Sequence, residues 1–443
     1  MIEVCTVSGY NEVGKNMTAV RVDDEVIILD IGIHLDNYIK YTEDEDLTVI
    51  SRGELIRAGA IPDDSYINDW KDKVRAIIPT HAHLDHVGAV VFLCNSYNAP
   101  VICSPYTEAV LSTIARDENL RIKNPIKVLN SNSIHKISEN ISIEFIHVTH
   151  SIPQTVLVSI NTKYGSVVYA NDFKLDNHPI IGKKPDYKHI QEIGKKKVLL
   201  LISESLRASE ARKTPSEIIA RDMLRDVINS CDNRNAIIVT TFSSHLARLK
   251  SIIEFGMAIG RKVVFLGRSL EKYTSAGEKI GIIKYSDKVE IVKYAQQIKK
   301  KIAEIDRQGR EKYLMVVTGH QGEPKSTLSK MISQEIPFRF RQDDCVIFSC
   351  NVIPSPINIE NRKVLEEKLR KYGVRIFKDV HVSGHAAKED LREFIKILNP
   401  LHIIPSHGDQ SITLFLAELA KEMGYELGKN VHLMRNSERL RII

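Results

Sequence analysis

The 443-residue chain carries 62 lysines and arginines against 56 aspartates and glutamates, a net charge of +6 too mild to demand a polyanionic partner by itself. Its length exceeds one ordinary core, so two or three domains are expected. Six cysteines without a Cys-x-x-Cys pair exclude a disulfide framework and a cysteine-ligated zinc ribbon, and no apolar run approaches the ~20 residues of a membrane-spanning helix.

The N-terminus, Met1 to Cys5, has no basic segment followed by an apolar one, so the expected location is the cytoplasm. Gly9-Tyr10-Asn11-Glu12-Val13-Gly14-Lys15-Asn16 precedes two apolar runs, the second being Val26-Ile27-Ile28-Leu29-Asp30-Ile31-Gly32. The interval from Asp36 to Lys73 is polar, with Glu43-Asp44-Glu45-Asp46 and Pro62-Asp63-Asp64, and reads as an elaborated loop able to cover a site mouth. Its acidic part also reads as plain solvated surface. Val74 to Thr80 then reads as a buried strand running into His81-Ala82-His83-Leu84-Asp85-His86, and Val87 to Leu93 reads as an apolar helical start that holds this loop rigid.

A strand entering a tight loop can aim three imidazoles and a carboxylate at one point, a mixture that suits zinc-like cations better than calcium or magnesium. One loop cannot close a two-metal site, so further ligands are expected at later strand ends. His150 follows the alternating run Ile141 to Ile146, Asp172 ends the apolar run Ser166 to Asn171, and His407 follows Ile403-Ile404-Pro405-Ser406. Asp172 could bridge two cations.

Between Asp172 and His407 lies an insertion of strands alternating with helical segments, beginning near Leu199 to Ser205. It reads as a parallel α/β layer, in which ligands gather beyond the carboxyl ends of strands. Ile237 to Phe242 runs into Ser243-Ser244-His245, and Val263 to Leu266 runs into Gly267-Arg268-Ser269. Lys195-Lys196-Lys197 and Lys299-Lys300-Lys301 could steer a polyanion, but both read by default as solvated helix ends without aromatic neighbours to stack bases. Cys345 and Cys350 flank a strand-like run and read as core thiols.

The ligand order resembles the metallo-β-lactamase superfamily, in which the His-x-His-x-Asp-His loop is followed by a histidine, an aspartate and a histidine. The inserted segment resembles the β-CASP domain of its nucleic-acid-processing members, with Glu204, His385 and His407 matching that group's motifs A, B and C. Thr318-Gly319-His320-Gln321-Gly322-Glu323-Pro324, Gly267-Arg268-Ser269, Asp172-Phe173-Lys174-Leu175-Asp176, His150-Ser151-Ile152-Pro153, Thr214-Pro215-Ser216-Glu217 and Val382-Ser383-Gly384-His385 are similar to RNase J segments, over almost the whole chain. His320, Asn171 and Asp409 depart from the usual serine, glycine and glutamate. The chain ends soon after His407, so the resemblance is to the short archaeal form without the extra C-terminal domain.

This resemblance implies an αββα metallo-β-lactamase sandwich split by an inserted β-CASP α/β domain: residues 1–205 and 363–443 for the sandwich, 206–362 for the insertion. It implies two zinc ions, with manganese a possible substitute. His81, His83 and His150 would hold one, Asp85, His86 and His407 the other, and Asp172 would bridge them. Asp30 would brace the ligand loop, or is an ordinary strand-end turn residue. Asp85 would orient the attacking hydroxide, His385 would touch the scissile phosphate or protonate the leaving oxygen, and Glu204 would fix a histidine. The implied activity is 5′-to-3′ degradation of single-stranded RNA with preference for a 5′-monophosphate. Candidate contacts to RNA or its 5′-phosphate are Ser243, Ser244, His245, Arg248, Arg268, Ser269, Ser383, Gly384 and His385; the serines could equally cap helices. A homodimer and an RNA-decay or helicase assembly are the implied partners. Three other readings stand beside it: a cleavage-factor-type endoribonuclease, a non-catalytic RNA-binding subunit, and a small-molecule thioester or lactone hydrolase.

Overall fold

The computed structural model describes residues 1–42, 51–353 and 355–443. They form two compact units. The first comprises residues 1–177, 183–214 and 384–443, the second 178–182 and 215–383.

The first unit is built on two mixed sheets. One has seven strands in the order Glu438–Arg441, Ile2–Ser8, Met17–Val22, Glu25–Leu29, Val74–Ile78, Val101–Cys103 and Ile126–Val128. The other has six, in the order His402–Ser406, Val198–Glu204, Gly165–Ala170, Val156–Thr162, Ser142–His147 and Ile134–Lys136. Their inner faces share one core, in which Ile27, Leu29, Ala76 and Ile78 of the first sheet meet Phe145, Val158, Val167, Tyr169 and Ile202 of the second. The outer face of the six-stranded sheet carries the helices Tyr187–Gly194, Lys388–Leu398 and Gln410–Glu422, through Ile190, Phe394, Ile395, Leu416 and Leu419. Each such fully buried side chain contributes about 1.5–3 kcal/mol relative to exposure. This is the expected sandwich.

A sheet covered on both faces loses its polar alternation. Strand Ser142–His147 accordingly buries Ile143, Glu144, Phe145 and Ile146 in succession. Glu144 is tolerated because His189 of the neighbouring helix donates to its carboxylate at 2.5 Å.

The second unit holds a six-stranded, all-parallel sheet ordered Glu290–Val292, Lys262–Leu266, Tyr313–Val317, Ile237–Thr240, Cys345–Phe348 and Arg375–Phe377, with helices in the crossovers. Ile238, Val264, Met315, Val346 and Phe348 form its core with Ile302, Leu328, Phe338 and Leu369. It runs on past the expected boundary at residue 362, because Arg375–Phe377 pairs in parallel with Cys345–Phe348 and so belongs to this sheet.

Two local expectations are corrected. The interval from Asp36 to Lys73 contains helical segments at Leu35–Thr42, Arg52–Arg57 and Asp64–Lys73, with Ser51 and Asp63 capping the latter two and residues 58–63 forming the turn between them; the acidic run Glu43 to Asp46 lies outside the described residues. Lys301 is no solvated helix end. It is buried, with its ammonium 2.6 Å from Glu290 and 3.2 Å from Glu304. Among the described residues no helix is long and apolar enough to cross a membrane.

Strands Glu25–Leu29 and Val74–Ile78 are parallel, with Leu29 opposite Ile78, so the segments that follow them leave the sheet side by side. Gly32 there packs against the histidine loop so closely that an added Cβ would lie 1.6 Å from the Asp85 carbonyl oxygen. Gly32→Ala is therefore expected to lower Tm by several degrees, an overpacking cost of about 1–3 kcal/mol or more, and to reduce bound divalent metal; calorimetry and elemental analysis of the same sample check both.

Candidate metal centre

The nominated side chains of the first unit stand at the ends of its strands. His81 to His86 follow Val74–Ile78, His150 follows Ser142–His147, Asp172 follows Gly165–Ala170, Glu204 ends Val198–Glu204 and His407 follows His402–Ser406. Parallel pairing sets Ala170 beside Ser203 and Glu204 beside Ser406, which brings the last three to one edge of the sheet.

Two groups of ligand-type atoms result. His81, His83, His150 and Asp172 form one, and Asp85, His86, His407 and Asp172 the other. His83 Nδ1 lies 3.2 Å from His81 Nε2 and 3.1 Å from His150 Nε2. Asp172 Oδ2 lies 3.5 Å from both His81 and His150, while its Oδ1 lies 3.3 Å from His86 Nε2 and 3.4 Å from His407 Nε2. Asp85 Oδ2 is 3.5 Å from His86 Nε2 and 3.7 Å from His407 Nε2. One carboxylate thus offers an oxygen to each group. All seven residues nominated from the sequence as ligands meet here.

The charge balance fits divalent cations. Burial, reinforced by His81, pushes His83 down to about 3, and burial with His83 holds His150 well below the ordinary imidazole range. Both rings are therefore neutral and keep a lone pair for a cation. His86 is the opposite case. Burial lowers it, but Asp172, Asp85 and Asp30 outweigh burial and raise it well above its usual value. Asp172 Oδ1 is buried and accepts no hydrogen bond among the described residues, an orphaned acceptor of the kind a bound cation satisfies. Imidazoles in excess over carboxylates suit zinc and its transition-metal neighbours better than an all-oxygen ion.

Contacts behind the ligands set their orientation. Asp30, buried and left-handed at φ 57°, accepts from the Thr80 amide at 2.7 Å, from His86 Nδ1 at 2.8 Å and from the Tyr169 hydroxyl at 3.0 Å. The Thr80 hydroxyl donates to Asp30 and accepts from His81 Nδ1 at 3.0 Å. Asp30 is thus the brace of the loop and no ordinary turn residue. His150 Nδ1 donates to the Gly384 carbonyl at 2.7 Å, and His407 Nδ1 to Asn16 Oδ1 at 3.0 Å. Fixing the second ring nitrogen in this way fixes the tautomer that faces a metal.

Sequence reasoning quoted Asn16 only as part of a segment and missed its role. Its backbone and side-chain amides both donate to the Asp85 carbonyl, at 3.0 and 3.1 Å. The available signal was the pair of glycines before it. Gly9 has φ 88°, and a Cβ there would come within 2.5 Å of Asn16 Oδ1. The roles of Asn171 and Ser406 were missed likewise; the Ser406 hydroxyl donates to Asn171 Oδ1 at 2.6 Å.

Glu204 and His385 adjoin this centre. Glu204 is fully buried, accepting from the Phe173 amide at 2.8 Å and from His385 Nδ1 at 2.6 Å. Burial lowers the basicity of His385, but the Glu204 and Asp172 carboxylates outweigh it and raise the imidazole to about 9. It is a cation at neutral pH. Its ring centroid is 5.0 Å from that of His150, and its side chain is 22% exposed.

The candidate phosphate contacts divide by burial. Arg248 is 0% exposed, with Nε and Nη2 on Glu217 at 2.7 and 2.9 Å and Nη1 on the Ser349 carbonyl and hydroxyl at 2.8 Å each. Its donors are committed to protein acceptors, so Arg248 is corrected from a candidate phosphate ligand to a structural residue. His245 is buried as well, capping the helix Leu246–Ala258 by accepting from the Arg248 amide, and it lies 3.5 Å from Glu217. Ser243 and Ser269 share a hydrogen bond of 2.8 Å, and Ser244, which follows Ser243, is buried. Arg268 is exposed at the start of the helix Arg268–Lys279, whose N-cap Gly267 supplies no side chain. Ser383 is half-buried in the second unit, while Gly384 and His385 belong to the first.

Three family models match the chain: Metallo-beta-lactamase superfamily over residues 10–226, Ribonuclease J beta-CASP domain over 234–366, and Zn-dependent metallo-hydrolase RNA specificity domain over 371–434. The chain is 47% identical to Ribonuclease J of Methanocaldococcus jannaschii, covering 99% of this chain and 98% of that protein. It is 45% identical to Ribonuclease J of Pyrococcus abyssi, over 98% and 96%. It is 31% identical to Ribonuclease J 2 of Staphylococcus aureus, over 96% of this chain and 72% of that one. Among solved structures, a protein of unknown function from Enterococcus faecalis V583 has the same fold, with a TM-score of 0.61, 17% identity and 99% coverage of both chains.

Arg248→Met removes the guanidinium that bonds the buried Glu217 carboxylate through both its oxygens, an expected loss of about 3–5 kcal/mol. Equilibrium denaturation should show that loss, while metal analysis of the folded variant should show wild-type content.

Proposed function

The chain belongs to the Ribonuclease J family and is a metal-dependent ribonuclease, and we propose that it removes nucleotides from the 5′ end of single-stranded RNA using two zinc ions. The observation that carries this reading is Asp172, which presents one carboxylate oxygen to each of two imidazole groups. His81, His83 and His150 would hold one ion, Asp85, His86 and His407 the other, and Asp172 both. When bound, such a pair supplies an activated water and positive charge for the phosphoryl oxygens.

The protein's own groups do the rest. Asp85 is the least buried of the carboxylates here, at 28% side-chain exposure, so it can accept a hydrogen bond from the attacking water and orient it. His385, with Nδ1 on the Glu204 carboxylate, can donate to the scissile phosphate or to the leaving 3′ oxygen. Glu204 keeps that imidazole charged and aimed, and its second oxygen ties it to the backbone following Asp172. Asp30, Thr80, Asn16 and the Gly384 carbonyl hold the ligand tautomers.

Attack from a 5′ end requires a recognition point for the terminal phosphate. Arg268 is our candidate: its guanidinium is exposed, stands on a helix N-terminus lacking a side-chain cap, and can meet a phosphate bidentately. Ser269, Ser243 and Ser244 offer hydroxyls in the same loops.

RNA labelled at the 5′ end and bearing a monophosphate, triphosphate or hydroxyl tests the proposal. Wild-type protein should release labelled mononucleotide first and fastest from the monophosphate, with the activity removed by a chelator and by Asp85→Ala. Internal fragments instead would overturn the exonuclease assignment in favour of endonucleolytic cleavage, and tight binding without cleavage would overturn catalysis.

Arg268→Ala is expected to lower kcat/KM on 5′-monophosphorylated RNA by about 10-fold or more, the scale of one charge-assisted contact of ~1.5–3 kcal/mol, while changing the rate on 5′-hydroxyl RNA less than twofold. Equal loss on both substrates in a side-by-side time course would remove Arg268 from the 5′-phosphate role.

A further inference from the structure

Tyr294 is the most exposed aromatic side chain among the described residues, at 54%. It stands at the carboxyl end of Glu290–Val292, the outermost strand of the second unit's parallel sheet, and precedes the helix Ala295–Gln308. A single exposed ring needs no explanation by itself. Three observations set this one apart.

The first is its place in the sheet. The strand Glu290–Val292 pairs in parallel with Lys262–Leu266, with Leu266 opposite Val292, and the Gly267 amide donates to the Val292 carbonyl at 3.0 Å. The two chains therefore leave the sheet together, and Tyr294 and Arg268 each stand two residues past the same matched pair. This is the carboxyl edge of a parallel sheet, where ligands gather. The second is the hold on the ring. The Lys293 ammonium lies 5.2 Å from the centroid of the Tyr294 ring and 3.4 Å from Glu271 Oε1, so a cation tied to the neighbouring helix stands over one face. The exposure of the side chain leaves the other face open to solvent.

The third is charge. Arg268 to Lys272 and Lys293 to Gln297 hold three cations, Arg268, Lys272 and Lys293, against one carboxylate, Glu271. The helices that begin here have Gly267 and Tyr294 as N-caps, neither of which supplies a side-chain cap, so first-turn amides add to the donors. An open aromatic face beside cations matches the two halves of a nucleotide: the ring takes the base, and the cations take the phosphate.

We propose that Tyr294 is a stacking platform for one nucleobase of single-stranded RNA, next to the phosphate that Arg268 meets. The proposal rests on the reading of the chain as a nuclease of single-stranded RNA and adds to it a base subsite at the outer end of the sheet edge. Stacking on a ring face does not read base identity, so the subsite accepts any sequence. Duplex RNA keeps its bases stacked on one another, so the same ring favours single strands.

The experiment measures binding by fluorescence anisotropy, with full-length metal-loaded protein and a phosphorothioate-linked single-stranded RNA that resists cleavage, beside a base-free strand of equal length and charge. Tyr294→Ala is expected to weaken binding of the base-bearing strand roughly tenfold, the scale of one base stacked on an aromatic ring, and to bind the base-free strand within about twofold of wild type. Tyr294→Phe keeps the ring and should bind both strands as wild type does. Unchanged affinity of Tyr294→Ala for the base-bearing strand, an equal loss on the base-free strand, or a loss in Tyr294→Phe matching that of Tyr294→Ala would each overturn the proposal. Each strand is tested with a 5′-monophosphate and with a 5′-hydroxyl. Failure of the 5′-phosphate assignment would show as equal wild-type binding of the two ends, and the Tyr294 comparison would still decide the base subsite.

Discussion

Burying a carboxylate without compensation costs several kcal/mol, and the first unit is arranged around one such group, Asp172, buried at its centre. Its ionised form is held well below the usual carboxylate range, because His407, His86 and His385 outweigh the burial that opposes it. The same chain segments supply that compensation and the two groups of metal-ligand atoms, so electrostatic satisfaction and site assembly are one problem. Asp30, Asp172 and His407 all take left-handed backbone, with φ of 57°, 54° and 60°. Each such non-glycine conformation costs of order 1 kcal/mol, and three of them at strand ends facing one point are what an over-determined site tolerates.

The outer contacts of the two groups differ in charge. His81 leans on a threonine hydroxyl and His150 on a backbone carbonyl, both neutral acceptors. His86 leans directly on the Asp30 carboxylate and sits near Asp85 as well as Asp172. One group is therefore three imidazoles with one shared carboxylate, while the other has two carboxylates in contact and a third behind. A buried carboxylate behind an imidazole strengthens it as a donor. The asymmetry lies as much in these outer acceptors as in the ligands, and motif matching alone does not see it.

What was legible in the sequence follows from locality. The His81 to His86 loop, the strand-end positions of His150, Asp172 and His407, and the parallel insertion were all readable, because each is encoded by a run of apolar residues ending in a polar one. Asn16 was not nominated, because its partners His407 and Asp85 are distant in sequence and come together only when the sheets pack. The interval from Asp36 to Lys73 read as loop because its short helices are polar on their exposed faces, while among the described residues a few scattered apolar ones, Leu55, Ile61, Ile67 and Trp70, are buried and seat them. The second unit's final strand, Arg375–Phe377, is three residues long and half-buried at the sheet edge, so only its pairing identifies it.

Arginine and lysine are the residue types for which sequence reading fails most plainly, and the reason is physical. In a sequence, Arg248 and Arg268 both follow a strand and a small polar loop, and both look suited to phosphate. Folding separates them. Arg248 is driven inside, where Glu217, Ser349 and the Val380 carbonyl take its donors, so it joins the helix Glu217–Ser230 to the end of the strand Cys345–Phe348. A cation spent on such a buried pair cannot also recognise a ligand without giving up its bonds to Glu217. Arg268 stays exposed on a helix N-terminus, and its side chain has no protein acceptor among the described residues, which is what the proposed 5′-phosphate role requires. The same division parts Lys301, buried between Glu290 and Glu304, from its exposed neighbours Lys299 and Lys300. Burial and existing partners, more than residue type or motif, decide which cation of the second unit builds the fold and which can meet RNA.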